Sequence, residues 1–309
     1  MELLFISPAD DPVAWKQALT ALVPDLNIRV WPDTGDVEGI DVALVWKPPP
    51  GELKRFPNLK LIASLGMGVD HILRDPELPA DVPIARLLDD NIITQMSEYV
   101  CLAVLRYHRA LQTYERFQQE RRWQPLPAAD TSRRQIGILG LGAIGRHTAS
   151  SLLALGFPVL GWSRTPKAVK SVKCFYGSQG LAALLQRSTM LVCLLPLTAA
   201  TKGIINAETL ALLPAGAYLI NCARGEHVVE NALLAALDKS HIAGATLDVF
   251  QQEPLPPDHP FWTHPKVLVT PHIAGLTSPS TAAPQVAENI RRIQAGQPIL
   301  NQVDRNKGY

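Results

Sequence analysis

The chain has 309 residues, enough for two domains that each bury a core. A 47% hydrophobic share, an 18% charged share, a net charge of +1 and no long like-charged block describe an ordinary globular protein, and they argue against nucleic acid or an anionic membrane surface as the main partner. The four cysteines form no C-x-x-C pair, the opening residues carry no basic segment with a cleavage site, and no apolar run has spanning length, so neither a disulfide framework nor a membrane span is expected and the expected location is the cytoplasm.

Short apolar runs and helix-like segments alternate along the chain. Leu3–Ser7, Val42–Trp46 and Leu61–Leu65 read as buried strands, with a helix over Val13–Leu22. Ser97–Arg122 is the longest helical candidate and reads as a bridge between two domains. Further strands are expected at Ile136–Leu139, Val159–Trp162, Met190–Leu194, Ala217–Asn221, Gly244–Asp248 and Val267–Thr270. Helices are expected over Arg146–Leu155, Glu230–Leu237 and Ala287–Gly296. Strands alternating with helices predict α/β domains built on doubly wound, Rossmann-like parallel sheets.

The sharpest local motif is Gly140-Leu141-Gly142-Ala143-Ile144-Gly145, a G-x-G-x-x-G after a strand and opening a helix. Gly140 suits a tight turn, Gly142 close approach of a pyrophosphate, and Gly145 close packing of helix on sheet. The first amides of that helix would face the phosphates. The bland alternative is a structural glycine turn. After the next strand, an NAD-selective site usually carries Asp or Glu; here Ser163-Arg164-Thr165 stands instead. A missing carboxylate removes repulsion against a 2′-phosphate, and Arg164 adds attraction. Ser163 and Thr165 offer hydroxyl donors. The expected cofactor is therefore NADP(H), with NAD(H) possible; a solvated loop arginine is the alternative.

Three polar residues fall near the ends of later strands: Arg224, Glu253 and His272. Reducing a 2-keto acid needs a hydride at the carbonyl carbon and a proton at its oxygen. Histidine is the natural proton donor near neutral pH, and a carboxylate beside it fixes the ring and favours the imidazolium. Arginine can fork onto a substrate carboxylate.

Together, Gly140–Gly145, Leu195-Pro196-Leu197-Thr198, Asn221–Gly225, Asp248–Pro254 and Thr270–Gly275 resemble the D-2-hydroxyacid dehydrogenase family, with Arg, Glu and His in that family's order. Leu44–Pro49, Leu65–Asp70, Trp162–Thr165, Glu253–Pro257 and Gln302–Arg305 extend the resemblance over nearly the full chain, toward the family's bacterial branch that reduces glyoxylate and hydroxypyruvate. The resemblance implies that Arg224 binds substrate, Glu253 supports His272, and His272 is the acid/base. It implies that Met67 and Gly68 offer amides to the substrate carboxylate, Leu195 and Pro196 lie near the adenosine, Cys222 contributes backbone near the nicotinamide, and Asp248 holds the carboxamide. Trp46 either walls the substrate pocket or is a core residue. Glu98 reads as a charge at a helix start. The acidic pair that the family often has after the arginine is reduced here to Glu230.

The expected arrangement is a substrate domain of residues 1–97 and 284–309, a dinucleotide-binding domain of residues 98–283, and an active site in the cleft between them. A homodimer is implied by the resemblance. His71, His108, His147, His227, His241, His259 and His264 have no comparable constellation, although His227 stands near Arg224. No metal is expected. The alternatives are a dehydrogenase for another D-2-hydroxyacid and a nicotinamide-sensing binding protein on the same scaffold.

Overall fold

The computed structural model describes residues 1–309. The chain divides into two compact units, Met1–Ile92 with Leu276–Tyr309, and Ile93–Gly275. The first unit opens with β1 (Glu2–Ile6), α1 (Pro12–Leu22), β2 (Asn27–Val30), β3 (Ile40–Val45), β4 (Leu61–Ser64), α2 (Asp70–Leu73) and β5 (Ile84–Ala85). Its strands form one parallel sheet in the order β2-β1-β3-β4-β5. Both faces are covered, which is why these strands read as continuous apolar runs. Leu3, Phe5, Val42, Leu44, Leu61 and Ala63 enter one core; their alternates Leu4, Ile6, Ala43, Val45 and Ile62 enter another. Asp11 caps α1 by accepting from the Val13 amide, and Pro12 occupies the first turn, where its missing N–H costs nothing.

The second unit follows. Its elements are α3 (Asp90–His108), which begins just before the unit boundary, α4 (Leu111–Gln119), β6 (Ile136–Leu139), α5 (Ala143–Ala154), β7 (Val159–Ser163), β8 (Lys173–Tyr176), α6 (Gly177–Leu185), β9 (Met190–Cys193), α7 (Ala207–Ala211), β10 (Ala217–Asn221), α8 (Glu230–Asp238), β11 (Ile242–Leu247) and β12 (Val267–Val269). The sheet is seven-stranded and wholly parallel, in the order β12-β11-β10-β9-β6-β7-β8. The order reverses between β6 and β9, so this sheet has its topological switch point there. Ile136, Ile138, Met190, Val192 and Ile220 pack with Val100, Val104, Ala149 and Leu152 on one face; Leu139, Leu191, Cys193 and Leu219 pack with Leu184, Leu233 and Leu237 on the other. The chain then returns to the first unit through α9 (Pro279–Gln294), whose Ala282, Ala283, Val286, Ala287 and Ile290 join the core of α1.

Two expectations change here. The long helix expected over Ser97–Arg122 starts earlier, at Asp90, and is two helices, interrupted where Ala110 takes a left-handed conformation (φ +53°). The last helix begins at Pro279 rather than Ala287 and carries Pro284 within it. No helix is long and apolar enough to cross a membrane.

Candidate active site

The glycine loop sits at the switch point, between the carboxyl ends of β6 and β9. Gly140 has φ +105°, a conformation that side chains resist, and a Cβ there would lie 2.7 Å from the Leu194 carbonyl oxygen. At Gly145 a Cβ would lie 1.9 Å from the Gly140 carbonyl oxygen, so any side chain would push α5 off the loop. Gly142, the residue capping α5, is different. A Cβ there would meet nothing within 4 Å, and the helix start has no side-chain cap. Open space before uncapped helix amides is where an anionic group fits.

After β7, Ser163 is buried, and its hydroxyl donates to the Thr165 carbonyl at 2.8 Å. That bond tightens the turn after β7. Arg164 and Thr165 are exposed. Sequence reading missed Lys167, whose Nζ donates to the Leu141 carbonyl, inside the glycine loop, at 3.1 Å. Burial, then repulsion from Arg146, lowers the Lys167 ammonium below the usual lysine range. Arg146 and Lys167 therefore place two further cations beside the loop. No spacing rule points to Lys167.

Arg224, Asp248, Glu253 and His272 follow the carboxyl ends of β10, β11 and β12. The Asn221 side chain, fully buried, donates to the Arg224 carbonyl at 2.9 Å and accepts from the Ala223 amide at 3.2 Å, so it braces the loop carrying the arginine. The guanidinium Nη1 donates to the Ala223 carbonyl at 2.7 Å. Gly225 is pressed against the next loop: a Cβ there would lie 1.9 Å from the Phe250 carbonyl carbon. The arginine loop and the glutamate loop are therefore interlocked through a missing side chain.

His272 and Glu253 meet. The Nδ1 of His272 lies 3.0 Å from Glu253 Oε2, and Glu253 Oε1 accepts from the Phe250 amide at 3.2 Å. Both side chains are partly exposed, at 31% and 22%. A carboxylate at Nδ1 fixes the ring and leaves Nε2 as the nitrogen available for proton transfer. His272 itself has φ +57°, an uncommon conformation for a non-glycine residue.

Asp248 is what holds that conformation. Fully buried, it accepts from the Thr270 hydroxyl at 2.6 Å, the Ile273 amide at 2.9 Å and the Ala274 amide at 2.8 Å, and its main-chain carbonyl accepts from the His272 amide at 2.8 Å. The Tyr99 hydroxyl lies 2.6 Å from Thr270 Oγ1, and burial pushes that phenol up. Cys222 is buried, and burial likewise pushes its thiol well up, which leaves it an unreactive wall. Leu195 is buried and Pro196 exposed on the segment after β9.

Met67 and Gly68 lie in the first unit, in the loop between β4 and α2. Ser64, buried at the end of β4, pins that loop by accepting from the Gly66 amide at 3.1 Å and donating to the Gly68 carbonyl at 3.2 Å. Trp46 follows β3 and is half-buried. Its ring sits over Gly66, where a Cβ would come within 2.6 Å of it, and 4.3 Å from the His71 ring. It packs on the core with part of its ring and leaves part uncovered, so it is neither a wholly buried core residue nor a free surface one.

The family model of the D-isomer-specific 2-hydroxyacid dehydrogenase NAD-binding domain matches residues 101–274. A glyoxylate/hydroxypyruvate reductase A from Yersinia enterocolitica is 45% identical over 314 residues, covering the whole of both chains. The chain belongs to the D-isomer-specific 2-hydroxyacid dehydrogenase family. Among solved members of that family, one from Xanthobacter autotrophicus, in complex with NADPH and MES, shares 50% identity at a TM-score of 0.95, over 100% of this chain and 99% of that one. An NADPH-dependent glyoxylate/hydroxypyruvate reductase from Sinorhizobium meliloti, in complex with NADP and sulfate, shares 36% identity at a TM-score of 0.94, over the whole of both chains. This member of the D-2-hydroxyacid dehydrogenases is therefore an NAD(P)-dependent oxidoreductase, and its two parallel α/β sheets are those of the family.

Proposed function

We propose that this dehydrogenase reduces small 2-keto acids with NADPH, glyoxylate to glycolate and hydroxypyruvate to D-glycerate, in the cytoplasm and as a homodimer. The observation that carries the reading is the 3.0 Å contact between His272 and Glu253, in the same unit as an uncapped glycine-loop helix and Arg224. The names of the Yersinia and Sinorhizobium relatives, and the NADPH of the Xanthobacter structure, support the substrate and the cofactor. The assignment of residues 1–97 and 284–309 to substrate and 98–283 to dinucleotide belongs to the same reading. Fully exposed Trp123 and exposed Leu102 on α3 support a covered face in a dimer.

In this mechanism the loop Gly140–Gly145 and the amides of Ala143, Ile144 and Gly145 hold a pyrophosphate, while Arg164, Thr165 and Lys167 attract a 2′-phosphate. Leu195, Pro196, Cys222 and Asp248 flank the rest of the cofactor, and Ser163 shapes its turn. Bound NADPH supplies the hydride. Arg224 pairs with the substrate carboxylate and polarises the keto oxygen. His272, protonated and held by Glu253, gives its Nε2 proton to the developing alkoxide.

Steady-state oxidation of NADPH and NADH with glyoxylate, hydroxypyruvate and pyruvate tests this. The expected result is turnover of the first two, NADPH preferred, and D-glycerate as the hydroxypyruvate product. Tight cofactor binding without turnover of any of the three would overturn the reading.

A further inference from the structure

His227 lies on the short turn Gly225–His227, three residues beyond Arg224, and is fully buried. Its ring touches two segments at once. Nδ1 lies 3.1 Å from the Arg224 carbonyl oxygen and Nε2 lies 3.3 Å from the Pro196 carbonyl oxygen. A carbonyl can only accept, so each contact needs a ring N–H: the imidazolium donates to both oxygens, whereas the neutral ring, with one N–H, donates to only one. Each carbonyl is also held from its own side: Asn221 Nδ2 donates to that of Arg224 at 2.9 Å, and Thr201 Oγ1 donates to that of Pro196 at 2.7 Å. These braces act within one segment each. Through its side chain His227 joins the segment after β9 to the segment after β10. Its backbone is fixed as well, since its carbonyl accepts from the Ile205 amide at 2.9 Å.

We propose that His227 is a positioning residue for the reduction, a buried cross-link that ties the main chain of the substrate-binding Arg224 to the Pro196 segment flanking the cofactor. The inference rests on the reading of Arg224 given above. It places the histidine outside the chemistry: it touches no reacting atom and acts through the carbonyl of the arginine. A buried ring here makes the arginine's placement depend on the segment that the cofactor covers, so substrate affinity suffers most when the ring is lost.

His227→Phe keeps a ring of similar size and removes every ring N–H donor; His227→Gln keeps a donating NH2 group. With NADPH saturating, His227→Phe is expected to raise KM for glyoxylate about tenfold, the worth of one ordinary hydrogen bond, while kcat changes by less than about threefold. His227→Gln is expected to recover part of the loss. In an Arg224→Lys background, where the planar fork is already gone, His227→Phe is expected to add less than about a twofold change, because the two act as one unit. A merely structural histidine would lower the melting temperature and multiply independently with Arg224→Lys. Calorimetric affinity for oxalate, measured on the NADP-bound protein, gives the same comparison without turnover. Failure of the wild-type chain to reduce glyoxylate would thus sink the substrate reading, and oxalate affinity would still decide the role of His227. Oxalate that fails to bind the wild type, an unchanged affinity in both His227 variants, or an equal loss in the two Arg224 backgrounds would overturn it. Should His227→Phe not accumulate as folded protein, His227→Gln carries the comparison.

Discussion

Asp248→Asn changes neither size nor shape, which makes it the cleanest probe of how His272 is held. The carboxylate takes the Thr270 hydroxyl and the Ile273 amide on one oxygen and the Ala274 amide on the other. An asparagine oxygen can keep the first two. Its NH2 group then faces the Ala274 N–H, donor against donor, in a fully buried site. One charge-assisted bond is lost and one buried donor is orphaned, together about 2–4 kcal/mol. In a domain of this size that corresponds to a drop of roughly 5–10 °C in melting temperature. The loss falls on the loop that keeps His272 at φ +57°, so displacement of its ring is expected to cut kcat by about tenfold to a hundredfold. Calorimetry and steady-state kinetics at saturating glyoxylate and NADPH read both quantities. A variant with wild-type melting temperature and wild-type kcat would refute the idea that this carboxylate anchors the histidine loop.

Gly225→Ala should be worse tolerated than its size suggests, because the new methyl would lie 1.9 Å from the Phe250 carbonyl carbon and 2.3 Å from the Gln251 amide nitrogen, both main chain. The expected cost is at or above the upper end of the roughly 1–3 kcal/mol typical of overpacking, with activity lost alongside stability; a fully active, stable variant would contradict the interlock. Arg164→Asp removes one positive charge and adds a negative one near the expected 2′-phosphate. At about 1 kcal/mol per unit charge in an exposed setting, the ratio of kcat/KM values for NADPH over NADH should fall by about thirtyfold, and an unchanged ratio would remove Arg164 from cofactor selection. Burial works against a charged His227, yet the Cys193 side chain and the carbonyls of Pro196 and Arg224 leave its pKa raised overall. The folded state then binds the extra proton more tightly than the unfolded state does. The stabilisation is fully present below the ordinary histidine value and is lost as pH rises through the folded value. Wild type should therefore lose stability relative to His227→Gln as pH rises above the ordinary histidine value, and a gap that stays constant or widens with pH would exclude this.

What could be read from the sequence was what burial and glycine geometry impose. Ile136–Leu139 and Ala217–Asn221 form strands within their expected limits because both faces are covered and the run must be apolar throughout. Of the four edge strands, β12 was expected at Val267–Thr270 and the other three were missed. Lys173–Tyr176 is exposed at its ends and only half-buried between them, Asn27–Val30 mixes polar and apolar residues, and Ile84–Ala85 is two residues long. The break in the long helix rests on Ala110, an excellent helix former that gives no local sign of a left-handed turn. The start of α9 was hidden by Pro284, tolerated inside a helix whose neighbours supply the packing. In the candidate site, Arg224, Glu253 and His272 stood out because chemistry limits which residue types can serve. The roles of Lys167 and Asn221 rest on contacts to main-chain carbonyls, and such contacts leave no pattern in the residues themselves.

The most direct test of the central claim is the rate of NADPH oxidation by glyoxylate in His272→Gln, set beside the Kd for NADPH of the same variant. Glutamine can still reach Glu253 but carries no transferable proton. The expected result is a kcat lower by about a hundredfold to ten-thousandfold with an NADPH Kd within about twofold of wild type. Turnover close to the wild-type rate would contradict the assignment of the proton donor, and with it the mechanism built on the His272–Glu253 pair.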